Sequence, residues 1–289
     1  MDDLLLNQQT RKNLQQMCKQ PPHAILLSGA DGSGKNYVAK RLAEQILNVT
    51  AEGLNNYSYF FVLKPEKDSI GIESIRRLHT FLHLRTTGKS KSIRRMAIIE
   101  NAQTLTVEAQ NSLLKILEEP PEDTVILLTA VQSQNILATI YSRTRHVAIL
   151  PPTMPEAHNY FSTIASSAQI DKAYTLSSGE VGLMCMLLRD DTNYPLLASI
   201  ENAKTMLGQT AYERLAQIDA LAKDKSTVAP LLNALKRIAK VGLSQASTKD
   251  NMQGTKRWHS ILKHIHIAEK MHSQNVNTKL LLTNLLLNM

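Results

Sequence analysis

The stretch GADGSGKN, residues 29–36, has the spacing of a phosphate-binding loop up to its last residue. In the pattern G-x-x-x-x-G-K-[ST], the glycines let backbone N–H groups turn toward phosphate oxygens, and the lysine reaches the terminal phosphates. The last position normally offers Mg²⁺ a hydroxyl, whereas this chain has Asn36 there. The loop therefore predicts phosphate binding with a damaged magnesium site. A plain glycine-rich turn is the alternative.

A nucleotide hydrolase also needs two carboxylates at the end of its third strand, one for the metal and one to orient the attacking water. The segment AIIEN, residues 97–101, offers Glu100 followed by Asn101, and an amide cannot act as a general base. We therefore expect ATP or ADP to be bound without turnover. The residues expected to bind the nucleotide are Gly29, Gly32, Ser33, Gly34, Lys35, Asn36, Glu100 and Thr129.

Apolar periodicity supplies the elements that must position these residues. Strand patterns occur at residues 23–28, 59–64, 95–100, 124–130 and 145–150, and helical patterns lie between them, notably at 37–47, 70–84 and 106–117. A further helix is predicted at 3–19. Strands that alternate with helices indicate a parallel α/β sheet with crossover connections.

The pattern changes after two consecutive prolines at 151–152. Three short helices are predicted within 154–188, and from residue 195 every periodic segment is helical. These changes predict three domains: a nucleotide-binding-like domain at 1–152, a small helical segment at 153–193 and an all-helical domain at 194–289.

Composition points to a polyanionic partner. The net charge is +8 and the pI is near 9.4, while aromatic residues make up only 4%, too few for stacking bases along a single strand. The two cysteines are far apart and no run of eighteen apolar residues occurs, which fits a cytoplasmic protein. The residues predicted to contact DNA phosphates are Arg76, Arg77, Arg85, Lys89, Lys91, Arg94 and Arg95; an ordinary solvated loop is the alternative reading of this segment.

Two blocks carry a family resemblance. The block N-S-L-L-K-x-L-E-E-P-P at 111–121 is followed by a strand ending in Thr129, a short helix and Ser142-Arg143-Thr144. These features resemble the clamp-loader branch of the AAA+ ATPases over roughly the first 150 residues, and residues 275–289 resemble the last helix of its bacterial members. The resemblance implies an AAA+ P-loop domain with a parallel sheet, a small helical lid and an all-α collar.

The resemblance also implies roles. Arg143 matches the arginine finger that acts in trans on a neighbouring subunit's nucleotide, whereas Leu183 and Met184 stand where active members have a nucleotide-sensing arginine. The chain thus resembles the non-motor subunits of the bacterial DNA polymerase III clamp loader, and we expect neither polymerase nor ATPase activity of its own. The implied partners are gamma or tau motor subunits, the delta subunit, the sliding clamp and primer–template DNA. We expect no zinc module in this chain and no membrane partner.

Two other functions stay open from the sequence. An active AAA+ motor that tolerates Asn36 would turn over ATP alone, and a freestanding DNA-binding module would act as a monomer. Arg143 could be an ordinary surface residue. We interpret Glu118 and Glu119 as family scaffold, and because carboxylates are unfavourable at a helix C-terminus, we expect a fixed partner for them.

Overall fold

A five-stranded parallel sheet forms the centre of the first half of the chain. The computed structural model describes residues 3–66, 69–84, 93–131, 136–189, 195–224, 227–274 and 276–289. Across the sheet the strands follow the order β2-β3-β4-β1-β5, and all neighbours are parallel. Each strand lies within two residues of its predicted ends, so the predicted parallel sheet is confirmed. The strands are β1 (Ala24–Ser28), β2 (Phe60–Leu63), β3 (Arg95–Ile99), β4 (Thr124–Ala130) and β5 (Arg145–Ala148).

Helices cover both faces of this sheet. Successive strand residues point to opposite faces, so Leu26 packs with α4 (Ile72–Leu82) and α5 (Val107–Glu118), whereas Leu27 packs with α1 (Gln8–Lys19) and α2 (Lys35–Leu47). A strand that is buried on both faces must be apolar throughout. This is why the strands appear in the sequence as continuous apolar runs.

Local caps set where the helices begin. The Thr106 side chain accepts the Ala109 N–H and starts α5, as predicted. The predicted helix at 3–19 is wrong at its start, because the Asn7 side chain accepts the Gln9 N–H and caps a helix that begins only at Gln8. Shorter helices complete this part: α3 (Ala51–Asn55), α6 (Ala138–Arg143) and a 3-10 turn (Ala102–Thr104).

The rest of the described chain is helical. The three short helices predicted within 154–188 are confirmed as α7 (Met154–Phe161), α8 (Ser167–Ser177) and α9 (Val181–Arg189). No strand occurs in the described residues beyond Ala148. The remaining helices are α10 (Pro195–Gly208), α11 (Ala211–Ala216), α12 (Ile218–Lys223), α13 (Val228–Thr248), α14 (Met252–Ser273) and α15 (Thr278–Leu287).

Contacts divide the chain into two compact units, which are described separately. One comprises Met1–Thr163 with Gly179–Leu183, and the other comprises Ile164–Ser178 with Met184–Met289. The expected lid at 153–193 thus contributes residues to both units. The division into three domains stays a prediction.

The second unit has its own helical core. Leu235 of α13, Ile265 of α14 and Leu282 of α15 are fully buried together with apolar residues of α10. The apolar last helix, α15, packs into this core with part of its surface, while Leu280 and Leu287 stay exposed. In the described part of the chain, no helix is both long and apolar enough to cross a bilayer.

Thr10 provides a test of how α1 is attached to the sheet. Its buried hydroxyl donates to Ala148 O (3.0 Å) and accepts from the Leu150 N–H (3.1 Å). We expect Thr10→Val to lower the free energy of unfolding by about 1–3 kcal/mol, because two hydrogen bonds between α1 and the chain at the end of β5 are lost. Denaturant unfolding measures the change, and Thr10→Ser, which keeps the hydroxyl, is the control. Equal losses in the two variants would show that these hydrogen bonds do not hold α1 in place.

Candidate functional site

The predicted phosphate loop joins β1 to α2 at the carboxyl edge of the sheet. The loop runs from Gly29, whose N–H donates to Ala130 O of the neighbouring strand (3.1 Å), to Gly34, which caps α2. Gly32 and Gly34 have φ angles of 80° and 78°, a region that only glycine adopts readily. The strand, loop and helix therefore occur in the order that a phosphate loop requires.

Lys35, the lysine of this loop, is turned inward. Its side chain is only 4% exposed, and Nζ donates to the loop carbonyl of Ala30 (3.2 Å) and lies 3.9 Å from the Asp31 carboxylate. Burial lowers the pKa of Lys35, and the negative charges of Asp31 and Glu180 oppose that shift. The lysine is thus bound to its own loop. The ammonium group has three N–H donors, so this hydrogen bond still leaves donors for a phosphate.

The segment that leads into α9 covers the loop. The Gly182 N–H donates to Gly32 O (2.9 Å), and a Cβ on Gly182 would lie only 2.7 Å from that oxygen, so glycine alone allows this approach. The Glu180 carboxylate lies close beside Gly32 on the same side. The Gly182 backbone and the Glu180 carboxylate therefore both lie against the phosphate loop. Leu183 and Met184, which stand where a sensing arginine is expected, are buried.

Asn36 links the loop to the ends of two strands. Its Oδ1 accepts from Thr129 Oγ1 (2.6 Å), and its Nδ2 donates to Glu100 Oε2 (3.4 Å). Thr129 Oγ1 in turn accepts the Asn101 N–H (3.0 Å), and Lys64 Nζ lies 3.8 Å from Glu100 Oε2. The carboxamide thus uses its oxygen and its nitrogen inside the protein.

These contacts decide how well the residues fit a magnesium nucleotide. Position 36 and Glu100, the two groups that would face the metal, are hydrogen-bonded to each other, and Lys35 is bound to Ala30 O. Ser33 Oγ is buried without a hydrogen-bond partner. In the described conformation the residues do not fit Mg²⁺-ATP. The expectation that the loop holds ATP or ADP without turnover stays a prediction.

Arg143 lies at the opposite edge of the sheet from this loop. It ends α6, two residues before β5 begins, and the first residue of β5, Arg145, pairs with Ile25 of β1. From that level β1 continues for three residues to Ser28, a rise of about 10 Å. The phosphate loop begins only after Ser28. The structure therefore does not bring Arg143 together with the predicted nucleotide-binding residues.

The Arg143 guanidinium is held by its own chain. Nη1 donates to Thr139 O (3.1 Å) and to Ser142 Oγ (3.3 Å), while Nη2 lies 2.8 Å from Glu118 Oε1. Arg143 is therefore a partner for Glu118 at the end of α5, whereas the expected partner for Glu119 stays a prediction. The sequence signal was the unfavourable position of Glu118 at a helix C-terminus. No sequence pattern predicted two other contacts, those of Glu180 and Gly182 with the phosphate loop.

The residues predicted to bind DNA do not form one described patch. Arg76 pairs with Glu73, and Arg77 pairs with Glu66, so acidic neighbours offset both charges. Arg94 is partly exposed. Three more of these residues, Arg85, Lys89 and Lys91, lie outside the described residues.

Arg95 is a correction to that set. It is only 3% exposed, and its guanidinium donates to the carbonyls of Leu82, the last residue of α4, and of Leu84, two residues further on. It also lies over the Phe81 ring, 5.9 Å from the centroid. A charged group that is buried in this way satisfies a helix C-terminus and does not face a DNA backbone.

Asn36 allows a direct test of this hydrogen-bond network. We expect Asn36→Ala to lower the free energy of unfolding by about 1–3 kcal/mol, because the fully buried Thr129 hydroxyl loses its acceptor. Tyr37→Ala is the control, since the neighbouring Tyr37 is 60% exposed and should change stability by less than about 0.5 kcal/mol. Denaturant unfolding separates the two outcomes. Equal effects would mean that Asn36 is not a structural link.

Comparison with known proteins places the chain among replication subunits. The family described as "DNA polymerase III, delta subunit" matches residues 6–153, just over half of the chain. The delta' subunit of DNA polymerase III from Escherichia coli (strain K12) is 27% identical over 301 residues, which cover 92% of this chain and 88% of that protein. The delta' subunit from Pseudomonas aeruginosa is 35% identical over 140 residues, which cover 43% of this chain and 42% of that subunit.

Two further comparisons concern a tau subunit and a solved structure. The tau subunit of DNA polymerase III from Bacillus subtilis is 30% identical over 157 residues, 49% of this chain and 27% of that protein. A crystal structure of a gamma subunit-related protein from Thermotoga maritima superposes with a TM-score of 0.50 at 20% identity, covering 96% of this chain and 97% of that one. This likeness concerns the fold alone and agrees with the predicted AAA+ architecture. The chain belongs to the DNA polymerase III delta' subunit family.

Proposed function

We propose that this chain is a non-motor subunit of a bacterial clamp loader. In this proposal it lends Arg143 to ATP hydrolysis in a neighbouring motor subunit of the gamma or tau type, and so helps to load the sliding clamp onto primer–template DNA. The delta subunit completes the proposed set of partners. The chain itself carries out neither polymerase nor ATPase chemistry.

The position of Arg143 in the sheet carries this proposal. The residue lies at the amino edge of β5, whereas the chain's own phosphate loop lies beyond the carboxyl edge of β1. Its side chain is 36% exposed, so the guanidinium can meet a group on another protein. A cation that is remote from its own loop and accessible from outside is suited to acting in trans. In phosphoryl transfer such a finger contributes about 10³–10⁵ in rate.

The state of the chain's own loop supports the non-motor assignment. Asn36 and Glu100 are hydrogen-bonded to each other, and Asn101 stands where a second carboxylate is needed. An active motor would have to break these hydrogen bonds, and it would still lack a general base. The rival motor function therefore predicts ATP turnover by the purified chain, and our proposal predicts none.

Contact with primer–template DNA is a second element of the proposal. It relies mainly on Arg85, Lys89 and Lys91 and on the partly exposed Arg94, because Arg95 is buried and acidic residues pair with Arg76 and Arg77. Such contacts would be to phosphates, independent of sequence and weakened by salt.

Arg143→Ala tests the finger. The assembly should be reconstituted with motor subunits whose own finger arginines are replaced by Ala, so that the remaining turnover comes from the site that faces this chain. We expect that turnover to fall about 10³-fold or more, while the melting temperature of the isolated variant stays near that of the wild type. Arg145→Ala, at an exposed residue two positions on, is the control. An unchanged rate in the Arg143 variant would refute the finger.

The basic segment has its own test. Replacing Arg85, Lys89 and Lys91 together by Gln should reduce the slope of log affinity against log salt by up to about 2.7, since each phosphate contact contributes about 0.9. The measurement is binding of the assembly to primer–template DNA from low to moderate salt. A triple Gln variant at the exposed Lys256, Lys263 and Lys270 of α14 removes the same charge elsewhere. Equal slopes for the two variants would show that net charge alone, and not this segment, drives binding.

A further inference from the structure

Glu118 and Arg143 form an ion pair between the ends of two packed helices. Glu118 is the last residue of α5, Arg143 is the last residue of α6, and Glu118 Oε1 lies 2.8 Å from Arg143 Nη2. Both helix ends lie at the amino edge of the sheet, where β4 and β5 begin. The carboxylate therefore belongs to the same surface as the proposed finger.

Three oxygen atoms lie around the Arg143 guanidinium. Thr139 O and Ser142 Oγ accept hydrogen bonds from Nη1, and Glu118 Oε1 forms an ion pair with Nη2. A guanidinium has five N–H donors, and both of these hydrogen bonds use Nη1. The Nη groups are thus held by the chain itself, and the Nε–H donor is not used by these contacts.

The location of Glu118 is unfavourable for the helix that carries it. A carboxylate in the last turn of α5 meets the negative end of the helix dipole. The pair itself is half exposed, with side-chain exposures of 49% and 36%, and ion pairs that are exposed to this degree add little to folding stability. Neither helix formation nor the overall stability of the fold accounts for a carboxylate here. Holding Arg143 does account for it.

We infer that Glu118 is a positioning residue for the Arg143 finger, an inference that rests on the proposed action of Arg143 in trans. A long exposed arginine samples many rotamers. If its conformation is fixed before the neighbouring subunit binds, less conformational entropy is lost in the transition state. Glu118 keeps its ion pair with Nη2 while donors of the guanidinium that these contacts leave unused meet the phosphate. The carboxylate acts through Arg143 and does not contact the nucleotide.

Three variants test this role in the assembly whose only remaining finger is Arg143. Glu118→Ala should lower kcat for ATP about tenfold with KM unchanged, since ATP is bound by the neighbouring subunit and only the orientation of the finger is lost. Glu118→Gln removes the charge but keeps the length of the side chain and one oxygen, and should lower kcat by less than Glu118→Ala does. Glu119→Gln is the matched control, because Glu119 is the adjacent exposed carboxylate and no ion pair between described residues includes it.

Each outcome decides between defined possibilities. Equal rates for Glu118→Ala and the control, a change in KM alone, or a rise above the wild type in both Glu118 variants would overturn the inference; the last result would mean that Glu118 restrains the finger. Arg143→Ala, measured in parallel, identifies failure of the proposed function, because its rate would then be unchanged. The melting temperature of each isolated Glu118 variant should stay within about 2 °C of the wild type, since the pair is exposed.

Discussion

The parallel direction of the five strands is the constraint on which the functional geometry depends. Because all strands run the same way, whatever follows a strand lies at one edge of the sheet and whatever precedes a strand lies at the other. The phosphate loop follows β1, while Arg143 precedes β5, the strand that pairs with β1. Cation and loop are therefore kept apart within one chain. The chain's own phosphate loop is therefore not placed to bring a phosphate to Arg143.

The phosphate loop shows how a site can keep its backbone and change its chemistry. Gly32 and Gly34 retain the left-handed backbone of such a loop, so the turn itself is preserved. The side chains, however, bond to the protein: Asn36 joins Thr129 and Glu100, and Lys35 binds Ala30 O. Asn36, Glu100 and Lys35 thus have internal partners, whereas Ser33 Oγ has none. A hydrogen bond that is buried in this way is costly to break without replacement, which explains how the loop can remain as a structural element.

Charge alone was a poor guide to function in the basic part of the chain. Arg95 belongs to the densest run of cations in the sequence, yet it is buried and binds carbonyls at the end of α4. Arg76 and Arg77 are at the surface, and each has a glutamate beside it. What a cation contributes to a binding surface depends on the acceptors already within reach. Those acceptors come from residues distant in sequence as well as near, as Glu66 beside Arg77 illustrates.

The sequence by itself determined the strands, the bounds of α2, α4 and α5 to within two residues, the order of the phosphate loop between β1 and α2, and the family. These features are set locally, by apolar periodicity, by caps such as Thr106 and by glycines that a turn requires. It placed the start of α1 wrongly, because the cap at Asn7 competes with an apolar run that continues the helical pattern. Only the tertiary structure decided that Arg143 pairs with Glu118, that Gly182 covers Gly32 and that Arg95 is buried. Each of these contacts joins residues that are well separated in the chain, and their partners are fixed by how strands and helices pack, which local sequence patterns do not encode.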